Sequence, residues 1–196
     1  MRQLILDLVP AQPPTLENFA AGGNVEALTG LAGWLAAEAP DTCVLLWGES
    51  GAGKSHLLAA SGAVYADAGT DPALAGLPDS ATFVAVDNVE ALDAEGQIAL
   101  FNRFNRLRAA GGRLLAAARV PPLQLALRED LRTRLGSGQI FRLRPLSDEE
   151  KRAALAAQAR ERGMSLAPEA LDYLLARAPR DMRSLAAILA ALDRYS

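Results

Sequence analysis

Short apolar runs alternate with amphipathic stretches from Val25 to Ala118. The apolar runs are bounded by turn residues and have the length of buried parallel strands. Strands are predicted over 43–47, 82–86 and 113–118, with a further short strand within 62–67. Apolar residues at helical spacing predict helices over 25–38 and 94–110, which end before a proline and a glycine pair.

The pattern changes after residue 145, where only helical periodicity remains. Ser147 and Glu150 form a capping-box pattern, which starts a helix by two reciprocal hydrogen bonds. Further helices are predicted over 167–177 and 181–194. Strands alternating with helices, followed by helices alone, predict an α/β fold. We expect an αβα sandwich with a parallel sheet, followed by a small helical lid.

Composition limits the classes of function. The 196 residues carry a net charge of -3, which gives no overall attraction to DNA. Arg103, Arg106 and Arg108 recur on one predicted helix, where a solvated face is the simpler interpretation and weak DNA contact stays open. Cys43 is the single cysteine and lies in an apolar run, which predicts a buried thiol in a reducing interior. With no bilayer-length apolar stretch and no signal-peptide pattern, we expect a cytoplasmic protein without membrane contact.

The most specific motif is the phosphate loop (P-loop) Gly48-Glu49-Ser50-Gly51-Ala52-Gly53-Lys54-Ser55, which matches G-x-x-x-x-G-K-[ST] at every position. Glycines let such a loop aim its amides at phosphate oxygens, and the following helix adds partial positive charge. Lys54 is predicted to reach the β- and γ-phosphates, and the Ser55 hydroxyl to bind Mg²⁺. Because the motif lies between a predicted strand and a predicted helix, we predict an ADP or ATP site. His56 is predicted to lie beside it without a catalytic role.

A carboxylate follows the next central strand. Asp87 ends the 82–86 run and is predicted to hold Mg²⁺ through its water shell. Many P-loop ATPases have a second carboxylate at the next position, whereas here Asn88 carries an amide that cannot accept a proton from water. Glu90 is near in sequence, but its strand register predicts that it points away. Nucleotide binding is therefore predicted, with at most weak intrinsic hydrolysis.

Five segments carry a resemblance to one group of P-loop proteins. They are the strand 44–47, the loop GESGAGKSHLL, the segment FVAVDNVEAL, Arg-Thr-Arg-Leu at 132–135 and Arg-Asp-Met-Arg at 180–183. Together they resemble the AAA+ family and, within it, the DnaA-related subgroup. The most specific pieces are the Asp87-Asn88 pair and the stretches 121–125 and 144–151. The resemblance covers nearly the whole chain.

The resemblance implies roles for two arginines. Arg134 matches the family's arginine finger, which projects into a neighbouring subunit's ATP site, where a guanidinium forks onto phosphate oxygens. Arg183 matches the lid arginine that reaches back to the bound nucleotide. Without the resemblance, Arg132 and Arg134 are interpreted as solvated helix cations, and Arg183 as a surface residue or a partner for Asp181.

The N-terminal segment resembles the subgroup's peptide for the sliding clamp, the β subunit of DNA polymerase III. Its predicted contacts are Gln3, Leu4, Leu6 and Leu8. In an extended peptide the leucines can enter an apolar pocket while the glutamine bonds at its rim. Prolines make 9–15 a tether, which argues against an edge strand but leaves a frayed terminus as the alternative. We predict three parts: peptide and tether 1–15, nucleotide-binding domain 16–145 and lid 146–196.

The chain also departs from the family. The stretch 116–119 lacks the polar sensor I residue expected near a γ-phosphate, and the 62–80 region is short enough to have lost a strand or a helix. The sequence ends at Ser196, after the last predicted lid helix, so we expect no helix-turn-helix DNA-binding domain. That expectation argues against an origin-binding initiator.

The resemblance implies a regulatory adaptor. With the clamp, such a protein stimulates ATP hydrolysis by the initiator DnaA through Arg134, and so represses renewed initiation. An autonomous AAA+ ATPase, such as a helicase loader, is the alternative, and a small-molecule phosphotransferase is disfavoured. The sequence leaves open the resident nucleotide, the oligomeric state and whether DnaA itself is the target.

Overall fold

In the computed structural model the described residues are 13–36, 40–164, 166–177 and 182–193, with only the backbone of Arg183 and Asp193. Contacts divide the chain into two compact units. One runs from Pro14 to Pro145, and Leu146 and the residues after it belong to the other.

The first unit contains a five-stranded sheet in the order β2-β3-β4-β1-β5, with every neighbouring pair parallel. The strands are β1 (Cys43–Trp47), β2 (Val64–Asp67), β3 (Phe83–Asp87), β4 (Arg113–Ala118) and β5 (Gln139–Arg142). The four predicted strands are confirmed. β4 lies between β1 and β3, so the carboxyl ends of these three strands meet at one edge.

Both faces of the sheet are covered, which is why its central strands are continuously apolar. Side chains alternate between the faces: Cys43 and Leu45 join the core under the helices α3 and α4, whereas Val44 and Leu46 join the core under α1 and α2. These helices are α1 (Val25–Leu35), α2 (Lys54–Ala60), α3 (Ala94–Ala110) and α4 (Glu129–Leu135). The αβα sandwich predicted from the sequence is therefore confirmed.

Two elements of this unit have no counterpart among the predicted elements. Helix α4 is only seven residues long, and β5 is a half-buried edge strand of four residues. The 62–80 region keeps its strand, β2. Between β2 and β3, where every residue is described, the chain forms turns and no helix. Of the strand and the helix that this region was short enough to have lost, the strand is present and the helix is absent.

The second unit contains α5 (Asp148–Glu161), α6 (Pro168–Arg177) and α7 (Met182–Asp193) around a small apolar core. The predicted capping box is confirmed, since Glu150 N–H donates to Ser147 Oγ at 3.1 Å and Ser147 N–H donates to Glu150 Oε2 at 2.7 Å. Within the described part of the chain, no helix is both long and apolar enough to cross a bilayer.

Candidate nucleotide site

The P-loop joins β1 to α2 and is held against its surroundings by close contacts. Gly48 N–H donates to the carbonyl oxygen of Ala118 at 3.1 Å, which ties the loop's first residue to the end of β4. A Cβ on Gly48 would overlap the carbonyl oxygen of Leu143. Gly53 has a φ of +93° and packs against the ring of Phe19, so a side chain there would be strained and would clash.

Lys54 is the most enclosed polar group of the loop, with 7% of the residue exposed. Its Nζ donates to the carbonyl oxygens of Gly48 at 2.6 Å and Glu49 at 2.9 Å. Burial lowers the pKa of Lys54, the charges of Asp87 and Glu90 oppose that change, and Arg119 adds to it. The lysine is thus positioned by its own loop, with three other charged groups close enough to act on it.

A phosphate group fits this loop. Apart from Gly51 itself and its two chain neighbours, no atom of the described residues lies within 4 Å of the position that a Cβ on Gly51 would take. Ser55 is exposed, and no side chain caps the start of α2, so its first amides remain for a ligand. Together these features provide an open side, backbone donors and a buried ammonium.

Asp87 lies at the end of β3 and is 1% exposed. Its Oδ2 accepts from the Tyr65 hydroxyl at 3.0 Å and its Oδ1 accepts from Asn88 N–H at 2.9 Å. A carboxylate has about four acceptor positions, so capacity remains for the water shell of Mg²⁺. The predicted metal role is compatible with this geometry and stays a prediction.

Asn88 turns the chain back toward the loop. Its φ of +52° is left-handed, and its side chain donates to Asp67 Oδ1 at 2.8 Å. A short 3-10 helix, Val89–Ala91, follows at once. The expectation that Glu90 points away from the site stays a prediction; the contact of its side chain is with Arg119, just after β4. The strand register on which that expectation rested ends at the left-handed residue.

Arg119 follows β4 and pairs with Glu90 across the same edge of the sheet. Its Nε lies 3.3 Å from Glu90 Oε1. Both Glu90 carboxylate oxygens are buried, and neither accepts a hydrogen bond from any described residue. The contact is an ion pair without hydrogen-bond alignment.

His56 lies in the first turn of α2, facing the segment that precedes the first helix. Its Nε2 is 2.9 Å from the carbonyl oxygen of Thr15, so Nε2 is the donor, because a carbonyl only accepts. Its ring also lies 5.5 Å from the ring of Phe19. His56 thus helps to fasten residues 15–19 to the P-loop helix, and its contact with nucleotide stays a prediction.

Arg134 lies on α4. Its guanidinium carbon is 6.0 Å from the ring centroid of Phe101 and 5.8 Å from that of Phe104, within the range of cation–π attraction. It lines an open concavity of about 690 Å³ and forms no ion pair with any described residue.

Other predicted site residues lie elsewhere or outside the description. Arg103 is not on a solvated face: it is buried, and donates to the carbonyl oxygens of Leu77 and Asp79. Arg106 and Arg108 are exposed. The residues Gln3, Leu4, Leu6 and Leu8 and the side chain of Arg183 lie outside the described residues.

Asn24 and Tyr65 are two further residues near the site that the sequence did not predict. Asn24 is 4% exposed and exchanges two hydrogen bonds with the backbone of Arg144, at 2.8 and 2.9 Å. Tyr65 lies on the exposed edge strand and reaches Asp87. Neither partnership has a local signal in the sequence, because the pairs are separated by 120 and 22 residues.

Comparison with known proteins connects these features to a family. Residues 148–196 match the family described as Hda, lid domain. Domain III of the Thermotoga maritima replication initiation protein DnaA is 21% identical with a TM-score of 0.74, over 95% of this chain and 90% of that one. Aquifex aeolicus DnaA bound to AMPPCP is 25% identical with a TM-score of 0.73, over 91% and 64% of the two chains. The chain therefore has the fold of the AAA+ domains of DnaA, and its residues 148–196 are similar to the Hda lid family.

A third structure, a replication initiator DnaA bound to AMPPCP and single-stranded DNA, is 23% identical with a TM-score of 0.73 over 91% of this chain. The chain spans 64% of that relative, as it does of the Aquifex aeolicus protein. The predicted AAA+ fold is confirmed, and the P-loop lies in a fold that holds the ATP analogue AMPPCP in two of these relatives.

Proposed function

We propose that this AAA+ protein is a regulatory adaptor that acts on ATP held by the replication initiator DnaA. Its own P-loop binds ADP or ATP with Mg²⁺ near Ser55 and Asp87, and this nucleotide shapes the protein rather than serving as its main substrate. With the sliding clamp, the adaptor stimulates hydrolysis on DnaA and represses renewed initiation. The match of residues 148–196 to the Hda lid family is the observation that carries the proposal.

The position and contacts of Arg134 support a role in the hydrolysis of ATP bound to a neighbouring subunit. Its guanidinium rests against two aromatic rings, and it borders an open concavity without a carboxylate partner among the described residues. A permanently charged, preoriented fork suits stabilisation of the charge that develops on a transferring phosphoryl group. The adaptor therefore supplies electrostatic stabilisation in trans, while the Mg²⁺ ion and the attacked phosphate belong to the partner's site.

The test measures ATP turnover by DnaA with this protein, clamp and DNA, each omitted in turn. Arg134→Ala is expected to lower the stimulation by about 100-fold or more, since a finger of this kind contributes at least that much. Arg134→Lys keeps the charge but loses the bidentate guanidinium, and is expected to restore little of the stimulation. Arg132→Ala, two residues away on α4, is the matched control. Undiminished stimulation by Arg134→Ala would overturn the proposal.

Clamp docking through Gln3, Leu4, Leu6 and Leu8 belongs to the same proposal. A pull-down with the clamp tests it, and Leu6→Ala and Gln3→Ala are expected to weaken capture because they remove an apolar anchor and a rim hydrogen bond. Capture unaffected by both substitutions would assign clamp contact to another surface.

A second candidate function is autonomous ATP hydrolysis, and the position of Glu90 favours it. The sequence predicts that the site lacks a second carboxylate, yet Glu90 lies in the 3-10 helix just after β3 and contacts Arg119, which follows β4. Turnover by the purified protein alone, abolished by Lys54→Ala, would support this function. Turnover that appears only when DnaA is present would exclude it.

A further inference from the structure

Gln97 joins three parts of the first unit through its side-chain amide. It lies in the first turn of α3, and its Oε1 accepts from Arg128 N–H at 2.9 Å. Its Nε2 donates to the carbonyl oxygen of Leu92 at 3.2 Å, at the end of the segment that follows β3. Because the oxygen and the nitrogen of the amide are both engaged, its orientation is fixed. Gln97 therefore ties the start of α4 to the segment between β3 and α3.

Helix α4 has little of its own to hold its start. It is seven residues long, and the side chain of its N-cap residue, Arg128, makes no capping hydrogen bond. A helix this short is marginal without tertiary contacts. In a capping box, a glutamate or glutamine at the third position of the same helix accepts from the N-cap N–H. In α4 that position is the buried Leu131, and the acceptor comes from Gln97 on another helix.

The same face of α3 also contacts the other end of α4. Phe101 and Phe104 follow Gln97 by four and seven residues, which is the spacing of side chains on one helix face. Their ring centroids lie 6.0 and 5.8 Å from the guanidinium carbon of Arg134. One face of α3 thus contacts the start of α4 through an amide and Arg134 through two rings.

The two kinds of contact differ in how accurately they place α4. Cation–π attraction needs only a cation over a ring face within about 6 Å, so it tolerates a shift of the helix. A hydrogen bond weakens steeply when its atoms move out of alignment, so it fixes the position of Arg128 N–H more narrowly. An arginine that stabilises a transferring phosphoryl group needs accurate placement, because a displacement of about 1 Å can cost about 100-fold in rate.

We propose that Gln97 is a positioning residue for Arg134. Its bond to Arg128 N–H sets the position of α4, and its bond to Leu92 holds the amide in the orientation that this requires. Gln97 touches neither nucleotide nor partner and acts only through the helix that carries Arg134. This inference rests on the role of Arg134 in the proposed function, and on neither the resident nucleotide nor the clamp peptide.

The test measures ATP turnover by DnaA against the concentration of this protein, with clamp and DNA present. Gln97→Met keeps a long side chain but removes the acceptor and the donor. We expect the maximal stimulation to fall by about tenfold or more, and the concentration for half of it to change by no more than about twofold, because a misplaced guanidinium affects the reaction and not docking. Gln97→Glu keeps an acceptor for Arg128 N–H and should restore most of the stimulation.

Two further variants separate positioning from a general loss of structure. Gln97→Met combined with Arg134→Ala should stimulate as well as Arg134→Ala alone, because the two residues act as a unit. Gln124→Met is the matched control, since it makes the same exchange at an exposed position of the 3-10 helix Pro122–Gln124. It should leave the stimulation unchanged. Thermal unfolding verifies that each variant is folded.

Hydrogen exchange at the Arg128 amide, followed by NMR on the full chain alone, reports on the hydrogen bond directly. Gln97→Met should speed this exchange by about fivefold or more, the size of one hydrogen bond, and Gln97→Glu should not. Unchanged exchange or full stimulation in Gln97→Met would overturn the positioning role and leave the proposed function intact. So would a Gln97→Glu variant as impaired as Gln97→Met, or a further loss in the double variant. Failure of the unaltered protein to stimulate DnaA would overturn both.

Discussion

The Nζ of Lys54 donates to the carbonyl oxygen of Gly48 at 2.6 Å, so the loop lysine is bound to the first residue of its own loop. A second bond to Glu49 leaves one of the three ammonium donors for a ligand. The lysine is thereby preoriented, and little rotamer entropy is lost when a phosphate arrives. The hydrogen bond from Lys54 to Gly48 therefore links the conformation of the P-loop to its affinity for phosphate.

Lys54→Met keeps the stem of the side chain and removes its charge. We expect ADP affinity to fall by about 100-fold, because a charge-assisted contact to phosphate is lost. Titration with ADP measures the change. The matched control is Lys151→Met, which removes the only other lysine of the chain, one paired with Asp148 on α5. Equal losses in the two variants would contradict a specific role for Lys54.

Cys43 is expected to resist alkylation in the folded protein, because burial, with a smaller contribution from Asp41, raises the pKa of its thiol from 9.0 to about 12. In the unfolded chain the thiol ionises near 9.0. The folded state therefore binds the extra proton between these values, and stability is retained below 9.0 and falls as the pH rises toward 12.

Iodoacetamide labelling with and without denaturant checks the first expectation, and rapid labelling of the native protein would contradict it. Unfolding free energies of the unaltered protein and Cys43→Ala, compared across the same pH range, check the second. The difference between the two proteins should decrease with pH only above 9.0.

Arg103 and Arg106 pair with the same carboxylate, that of Asp79, yet their substitution should differ in cost. Arg103 is buried and also donates to two backbone carbonyls of the 77–79 segment. Arg103→Ala is expected to lower the free energy of unfolding by about 2 to 3 kcal/mol, because those carbonyls lose their partner. Arg106 is 57% exposed, and Arg106→Ala should cost about 0.5 kcal/mol or less. Urea unfolding measures both, and similar losses would show that the buried contacts contribute nothing.

Asn24 joins the start of α1 to the backbone of Arg144 by two hydrogen bonds. Asn24→Ala leaves both backbone groups unpaired and should destabilise the protein by about 2 to 3 kcal/mol. Asn24→Asp keeps one acceptor but sets a carboxylate oxygen against the Arg144 carbonyl, so it should not restore stability. Asn102→Ala, at an exposed position of α3, serves as the control and is expected within about 0.5 kcal/mol of the unaltered protein. An Asn24→Ala variant with an unchanged free energy of unfolding would contradict a stabilising role for these two hydrogen bonds.

Local patterns were enough to predict the main elements. The central strands are short apolar runs, α3 ends at Gly111 with a φ of +68°, and α5 begins with its capping box. Each of these features depends on residues within a few positions of one another. Helix α4 and strand β5 were not predicted. Helix α4 is too short, and β5 too polar, for either to show a clear hydrophobic periodicity.

The sequence by itself determined the P-loop, its strand and helix context and the carboxylate at Asp87, since these follow from residue order along short segments. Only the tertiary structure decided which charges meet there. The strand order puts β4 between β1 and β3, and after a left-handed backbone at Asn88 the Glu90 side chain contacts Arg119, which follows β4. Burial is likewise a property of the packed fold. Arg103 was expected on a solvated helix face, but it is buried because the loop before β3 packs over it and accepts its hydrogen bonds.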